Sequence, residues 1–261
     1  MFDFHMHSLV SFDGHADARS MAQAAADRGL KEICFTDHID DDPKGIITTQ
    51  CFDIREYSAA YDGLEVPGLT IRKGMEFGLL PDNPETVKKY LGQRDFDFIL
   101  GSVHYADGED VYYAPYWKDK DLLTGERRYL ENVLECVRRH EDFDVLGHLT
   151  YIAKARCNPT HTPVQLSQHR QIVDEILKVL VRKDKGMEIN TSGVDRCGDF
   201  LPGIDYLRRF RELGGKIVTV GSDAHDVRRV GQYTSRAMEM AKEVFGYVRT
   251  FAERKPIFHK L

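Results

Sequence analysis

Nine side chains of this 261-residue chain carry donor atoms suited to metal ligation: His5, His7, Asp13, His38, Glu76, His104, His148, Asp223 and His225. Imidazole and carboxylate together, with no thiolate among them, suit Zn, Fe or Mn. Each stands at or just past the C-terminal end of a short apolar run, or in the loop that leaves it. In α/β folds that is where loops converge on a site, so ligands far apart in sequence can meet. Spacing adds to the case. His5-Met6-His7 and Asp223-Ala224-His225 are pairs two residues apart, which point to one side of an extended strand. Thr36-Asp37-His38, Met75-Glu76, Gly101-Ser102-Val103-His104 and Val145-Leu146-Gly147-His148 each end another apolar run.

Nine ligands exceed what one ion takes. They serve two or three divalent ions if a carboxylate bridges. Three such ions outweigh the charge of Asp13, Glu76 and Asp223, so the filled site is net positive. That favours a phosphate dianion and makes bound water more acidic. The chemistry implied is metal-assisted hydrolysis of a phosphate ester. The other histidines, His140, His161, His169 and His259, fall on helices, turns or the tail and read as ordinary residues. His140 is expected to favour the negative end of its helix. His15, beside Asp13, is the reserve ligand.

The elements that must position these residues alternate. Strands are expected at 2–6, 32–36, 69–76, 96–103, 143–148, 186–190 and 216–221. Helices are expected at 17–28, 53–63, 82–92, 124–140, 165–183, 203–213 and 232–246. Glycines at 29, 186 and 214–215 follow helices and read as C-caps. Strand–helix alternation implies parallel strands with right-handed crossovers. Seven units suggest a distorted (β/α)7 barrel, which explains ligands from nearly every unit better than an open sheet does. No linker or low-complexity run interrupts the chain, so residues 1–261 read as a single domain. The stretches 39–51 and 105–121 are long loops that should wall the mouth.

Composition agrees with a globular enzyme. Apolar residues make up 42% and charged residues 30%, enough for a sizeable core, and the formal net charge is −6. That acidity and the lack of a basic run argue against nucleic acid as a partner. The five cysteines form no CxxC pair and read as reduced thiols, with Cys34 in the core. The ligand-bearing strand starts at Phe2, so no signal peptide is expected, and no apolar run nears the roughly 20 residues that span a bilayer. A cytoplasmic location is expected; the sequence sets no oligomeric state.

At these residues the chain resembles the polymerase and histidinol phosphatase (PHP) superfamily. The pattern is HxH on the first strand, TDH on the second, a glutamate, two single histidines and a closing DxH. The resemblance implies a PHP-type barrel with a trinuclear site. The first metal would take His5, His7, Glu76 and Asp223. The second would share Glu76 and add His104 and His148, and the third would take Asp13, His38 and His225. Asp13, His38, Glu76, Asp223 and His225 would then be catalytic as well as ligating. Glu32-Ile33-Cys34-Phe35-Thr36-Asp37-His38, Phe98–His104, Glu188-Ile189-Asn190-Thr191-Ser192 and the tail Arg254-Lys255-Pro256 are most similar to the stand-alone histidinol-phosphate phosphatase branch. That branch implies hydrolysis of L-histidinol phosphate, a small phosphomonoester, in histidine biosynthesis.

Phosphate-binding candidates are Arg156, Arg196 and Ser192, with Lys154 behind them; a guanidinium can clamp phosphate through two parallel bonds. Asn190 is a further orienting candidate. Asp40, Asp41 and Asp42 are candidates to meet the substrate amine. Tyr112, Tyr113, Tyr116 and Trp117 would either pack on an imidazole ring or pin their loop. Competing readings are a PHP enzyme acting on another monoester or on a nucleic-acid phosphodiester, and a metal-binding structural or regulatory domain without activity.

Overall fold

The computed structural model describes residues 1–45 and 50–261. Seven parallel strands are consecutive neighbours in chain order: β1 Phe2–Met6, β2 Glu32–Phe35, β3 Thr70–Gly78, β4 Phe98–Ser102, β5 Val145–Leu146, β6 Gly186–Asn190 and β7 Val218–Gly221. The sheet curls until its two edges meet. Met6 pairs with Ala224 in a parallel bridge, His7 N–H donates to Ala224 O, and Asp223 N–H donates to His5 O. The barrel is thus nearly closed, and the expected seven-unit architecture is the one found.

Around it lie α1 Ala18–Asp27, α2 Ile54–Tyr61, α3 Pro84–Leu91, α4 Leu122–Arg139, α5 Leu166–Arg182, α6 Ile204–Glu212 and α7 Thr234–Val244. Aspartates start three of them. Asp17, Asp53 and Asp121 each accept a backbone N–H of the first turn. The helices press their apolar faces on the outward strand residues, such as Ile33, Phe35, Ile99, Met187, Val218 and Val220, and form the main core.

The inward face is narrower and different. Phe4, Cys34, Phe98, Leu100, Val145 and Ile217 fill its lower half. Glycine is required there. A Cβ on Gly186 would meet Ile217 Cγ2 at 2.5 Å and Val145 Cγ2 at 2.7 Å. Gly186 is therefore the first residue of β6 and not the helix cap expected of it, whereas Gly29 and Gly214 do take positive φ after helices. β1 departs from strict alternation. Its pairing slips between Asp3 and Met6, so Phe4 reaches the floor while the next residue, His5, faces the mouth.

The tail held a further element. β8 Tyr247–Ala252 and β9 Lys255–Lys260 form an antiparallel hairpin. Its turn residues Glu253 and Arg254 both have positive φ, the geometry that matches strand twist in a tight hairpin. Phe251 packs on Phe98 with ring centroids 5.0 Å apart, and Arg254 Nε donates to Asp144 Oδ2 at 2.6 Å. The hairpin stoppers the end of the barrel opposite the ligands. The expected strand 143–148 shortens to two residues, because Gly147 and His148 already turn into the mouth. Of the loop 39–51, residues 46–49 lie outside the described residues. The loop 105–121 contains a small ladder, Tyr105–Ala106 with Glu109–Asp110, and a helical turn, Ala114–Trp117. Among the described residues no helix is long and apolar enough to cross a membrane.

Candidate metal centre

Barrel closure brings the ends of β1 and β7 together, and the first ligand group follows from it. His5 and His7 are fully buried, with Nε2 atoms 3.1 Å apart. Asp223 Oδ1 lies 3.6 Å from each of those nitrogens. Glu76 Oε2 lies 3.2 Å from His5 Nε2 and 3.4 Å from His7 Nε2. Asp223 holds a positive φ of 56°, an uncommon conformation away from glycine that turns the chain back over the mouth.

Glu76, on β3, faces a second group with its other oxygen. His148 Nε2 is 2.8 Å and His104 Nε2 3.5 Å from Glu76 Oε1, and the two nitrogens are 3.4 Å apart. A third group lies towards the rim. Asp13 Oδ2 is 3.1 Å from His225 Nε2 and 3.7 Å from His38 Nε2. The short strand His38–Ile39 pairs with β3 so that His38 is in register with Glu76. The His7 ring stacks on both His38 and His225, at 4.4 and 4.1 Å between centroids. All nine residues singled out in the sequence are therefore gathered at one end of the barrel.

The donor set fits divalent cations. Donor atoms of His5, His7 and Asp223 lie within 4.8 Å of one another, as do those of His5, Glu76 and His148, of His7, His38 and His225, and of His38, Asp40 and His104. Asp13 Oδ1, Glu76 Oε2 and His148 Nδ1 are buried with no hydrogen-bond partner among the described residues. Buried polar atoms are costly when unsatisfied. Imidazole nitrogens facing each other at 3.1 and 3.4 Å oppose their lone pairs unless a cation or proton stands between.

The electrostatics point the same way. Burial opposes ionisation of Glu76, yet His5 and His38 outweigh it and hold the carboxyl well below its usual range. Burial likewise opposes charge on Asp223, and Lys154 and His5 reverse it. His38 loses charge to burial but gains more from Glu76, Asp40 and Asp13, which lift its pKa to about 9. His7, buried beside His225 and His38, is pushed down to about 3. The cluster is a set of ionised carboxylates that draw positive charge inward.

The centre floors a cavity of about 570 Å³, walled by Phe12, Tyr105, Tyr112, Tyr113 and Tyr151, with Asp110 among them. That volume suits a small molecule. Lys154, Ser192, Arg196 and Arg229 line it as well. Lys154 Nζ donates to Ser192 Oγ at 2.8 Å and to Asp223 Oδ2. Ser192 Oγ also donates to Asn190 Oδ1 at 2.6 Å. Lys154, the weaker candidate in the sequence, is nearer the centre than Arg156, which is exposed and not among the lining residues, although its charge reaches Tyr113. His15 is exposed at the rim. Tyr116 and Trp117 are buried and pin their loop, through Tyr116 Oη to Gly125 O and Trp117 Nε1 to Val111 O.

His140 is the C-cap of α4, at the negative end of its helix as expected, but burial lowers its pKa against the pull of the Leu80 carbonyl, which accepts from Nε2–H at 2.7 Å. Of the acidic run, Asp40 lines the cavity and is buried against His38 and His104, while Asp41 accepts from Asn83. Glu188, quoted only as part of a motif, accepts from His5 Nδ1 at 2.7 Å and from the backbone N–H of His148 at 2.8 Å. Both carboxylates had a signal. His38-Ile39-Asp40 repeats the two-residue spacing, and Glu188 is the one charged residue of the fully buried strand β6.

A family profile described as the PHP domain matches residues 3–192. The chain is 31% identical to a histidinol-phosphatase of Lactococcus lactis, covering 97% of this chain and 95% of that protein. It is 30% identical to a probable histidinol-phosphatase of Clostridium acetobutylicum, covering 93% of each. The crystal structure of the Lactococcus lactis histidinol phosphate phosphatase, complexed with zinc, L-histidinol and phosphate, superposes with a TM-score of 0.86 at 27% identity over 98% of both chains. A putative histidinol phosphatase of Listeria monocytogenes shares the fold, with a TM-score of 0.73 at 18% identity over 90% of this chain and 99% of that one.

Proposed function

The chain belongs to the PHP domain family, and from that premise we propose that it is a metal-dependent phosphatase that hydrolyses L-histidinol phosphate to L-histidinol and phosphate. The observation that carries the reading is the convergence of six histidines and three carboxylates at one end of the barrel, around and beneath one small-molecule cavity. Full-length likeness to histidinol-phosphatases supports the substrate. The whole chain, 1–261, acts as one catalytic unit in this reading.

Two or three divalent ions would be held. His5, His7, Glu76 and Asp223 would hold one, Glu76, His104 and His148 a second, and Asp13, His38 and His225 a third. Zinc is the first choice, with Fe or Mn as the other metals of this donor chemistry. When bound, such ions supply charge stabilisation to a phosphoryl group and an activated water. Glu76 keeps two groups in fixed relation, since its two oxygens face different histidine pairs. Asp13, His38 and His225 sit at the rim and are the groups through which a proton can pass between the centre and solvent.

Lys154, Ser192 and Arg196 receive the phosphate dianion, and Arg156 adds attraction from further out. Charge-assisted donors of this kind bind phosphate more strongly than neutral ones. The tyrosine wall, Tyr105, Tyr112, Tyr113 and Tyr151, offers faces to the imidazole of the substrate. Asp110, which accepts the Tyr112 N–H at 2.8 Å, faces the same space and suits the ammonium group.

The test is phosphate release from L-histidinol phosphate, beside other small phosphomonoesters and a phosphodiester, with Zn, Mn or Fe and with chelator. A metal-dependent preference for histidinol phosphate is expected. Preference for another ester would remove the substrate and keep the centre.

A further inference from the structure

We propose that Asp40 and Glu188 are positioning residues of the metal centre: each holds a ligand imidazole by its Nδ1 atom, so that Nε2 is the atom presented to the cluster. The proposal rests on the metal-centre reading above and extends it to two residues outside the nine.

A neutral imidazole has one N–H and one lone pair, and the partner of the first decides where the second points. Glu188 Oε1 accepts from His5 Nδ1 at 2.7 Å, which leaves His5 Nε2 towards His7, Glu76 and Asp223. Its second oxygen accepts the His148 backbone N–H and, at 3.2 Å, Asn190 Nδ2. Glu188 therefore ties the ends of β1 and β5 to β6, which supplies none of the nine ligands. Asp40 Oδ1 accepts from His104 Nδ1 at 3.0 Å, which leaves His104 Nε2 towards His148 and Glu76. Asp40 Oδ2 lies 3.0 Å from His38 Nδ1, so its charge faces a second ligand ring.

Both carboxylates occupy space that a glycine leaves. A Cβ on Gly78 would stand 1.7 Å from Asp40 Oδ1, and one on Gly221 would stand 2.2 Å from Glu188 Oε1. Neither glycine has positive φ, so backbone conformation does not require them. What they supply is room. Glu188 is 1% and Asp40 5% exposed, and their oxygens are engaged with ligand residues, so little is left for substrate.

The test compares the full-length wild type with Glu188→Gln, Asp40→Asn and Gly78→Ala. Each is stripped by chelator, reloaded with zinc and assayed for zinc equivalents and for zinc affinity by competition with a chromophoric chelator. Nitrogen-15 NMR of the zinc-loaded histidines reports which ring nitrogen carries the proton. Wild type should show protonated Nδ1 at His5 and His104. Glu188→Gln and Asp40→Asn should each weaken zinc binding about 10- to 100-fold, the effect of losing a partner behind a ligand. Each should disturb a different histidine signal, His5 in the first and His104 in the second. Gly78→Ala touches no ligand, yet should reproduce Asp40→Asn. Adding it to Asp40→Asn should cost little more, because both act on one contact. Zinc affinity, stoichiometry and histidine signals unchanged in all three variants would overturn the proposal, even if the variants were less stable. A wild type that binds no zinc would instead overturn the metal-centre reading and this proposal with it.

Discussion

The two ends of this barrel are built from the same strands to opposite rules. At the floor, Phe4, Phe98, Leu100, Val145 and Ile217 pack with Phe251 of the hairpin into a sealed apolar cluster. At the mouth, His5, Glu76, His104, His148 and Asp223 bury charge and leave polar atoms without hydrogen-bond partners. β1 serves both ends through one slip in pairing, giving Phe4 to the floor and His5 to the mouth. The floor gains stability from apolar burial. The mouth accepts a cost that a bound cation relieves. Stability and chemistry are separated along one axis, so each should be removable without the other.

The largest effect should come from the mouth. His7→Ala and Asp223→Ala should each lower turnover by more than about 100-fold, beyond the loss that partners behind the ligands produce. Metal content, read by elemental analysis, should fall with activity while circular dichroism stays that of the wild type. Loss of helical signal in both variants would mean that the mouth also carries the fold. The reciprocal change is Phe251→Ala. It should cost about 3–5 kcal/mol of stability, as loss of a buried aromatic does. Urea unfolding measures that cost, and kcat per folded molecule should not change. A large fall in kcat would show that the floor reaches the centre.

Within the mouth the effects should grade with distance from the ligands. Lys154 bonds Ser192 and Asp223. Lys154→Ala should lower kcat/KM about 10- to 100-fold, from roughly 1.5–3 kcal/mol for a charged hydrogen bond. Arg156, exposed and off the cavity wall, should give the smallest change. Arg156→Ala should raise KM a few-fold with kcat intact, the pattern of uniform binding. Equal effects for the two residues would erase the gradient that the geometry implies.

Much of this was legible in the chain. Seven strands with helices between them could be read because buried parallel strands are short apolar runs and the helices carry an amphipathic period. The ligands were legible for a related reason: histidine and carboxylate are rare neighbours of apolar runs, and two-residue spacing has one meaning on a strand. Other residues were harder. His140 stands at a helix end in sequence, but folding buries it, and burial lowers its pKa against the pull of the Leu80 carbonyl. Gly186 reads as a cap until β5 and the residue before β7 crowd its Cα. The C-terminal hairpin passed as a tail because its value lies in Phe98 and Asp144, far away in sequence.

The sequence alone determined the barrel's inventory: its seven strands and seven helices, their order, and which side chains have the chemistry to bind metal. Those are local properties, set by residue type and period. Tertiary structure alone decided the partners. Closure between β1 and β7 sets His5 and His7 against Asp223, and the register of His38 on Glu76 joins two ligand groups. It also decided that Asp40 and Glu188 stand behind histidines and that Lys154 points at the centre where Arg156 does not. Such pairings depend on distances between residues far apart in the chain, and barrel closure, not local preference, fixes those distances.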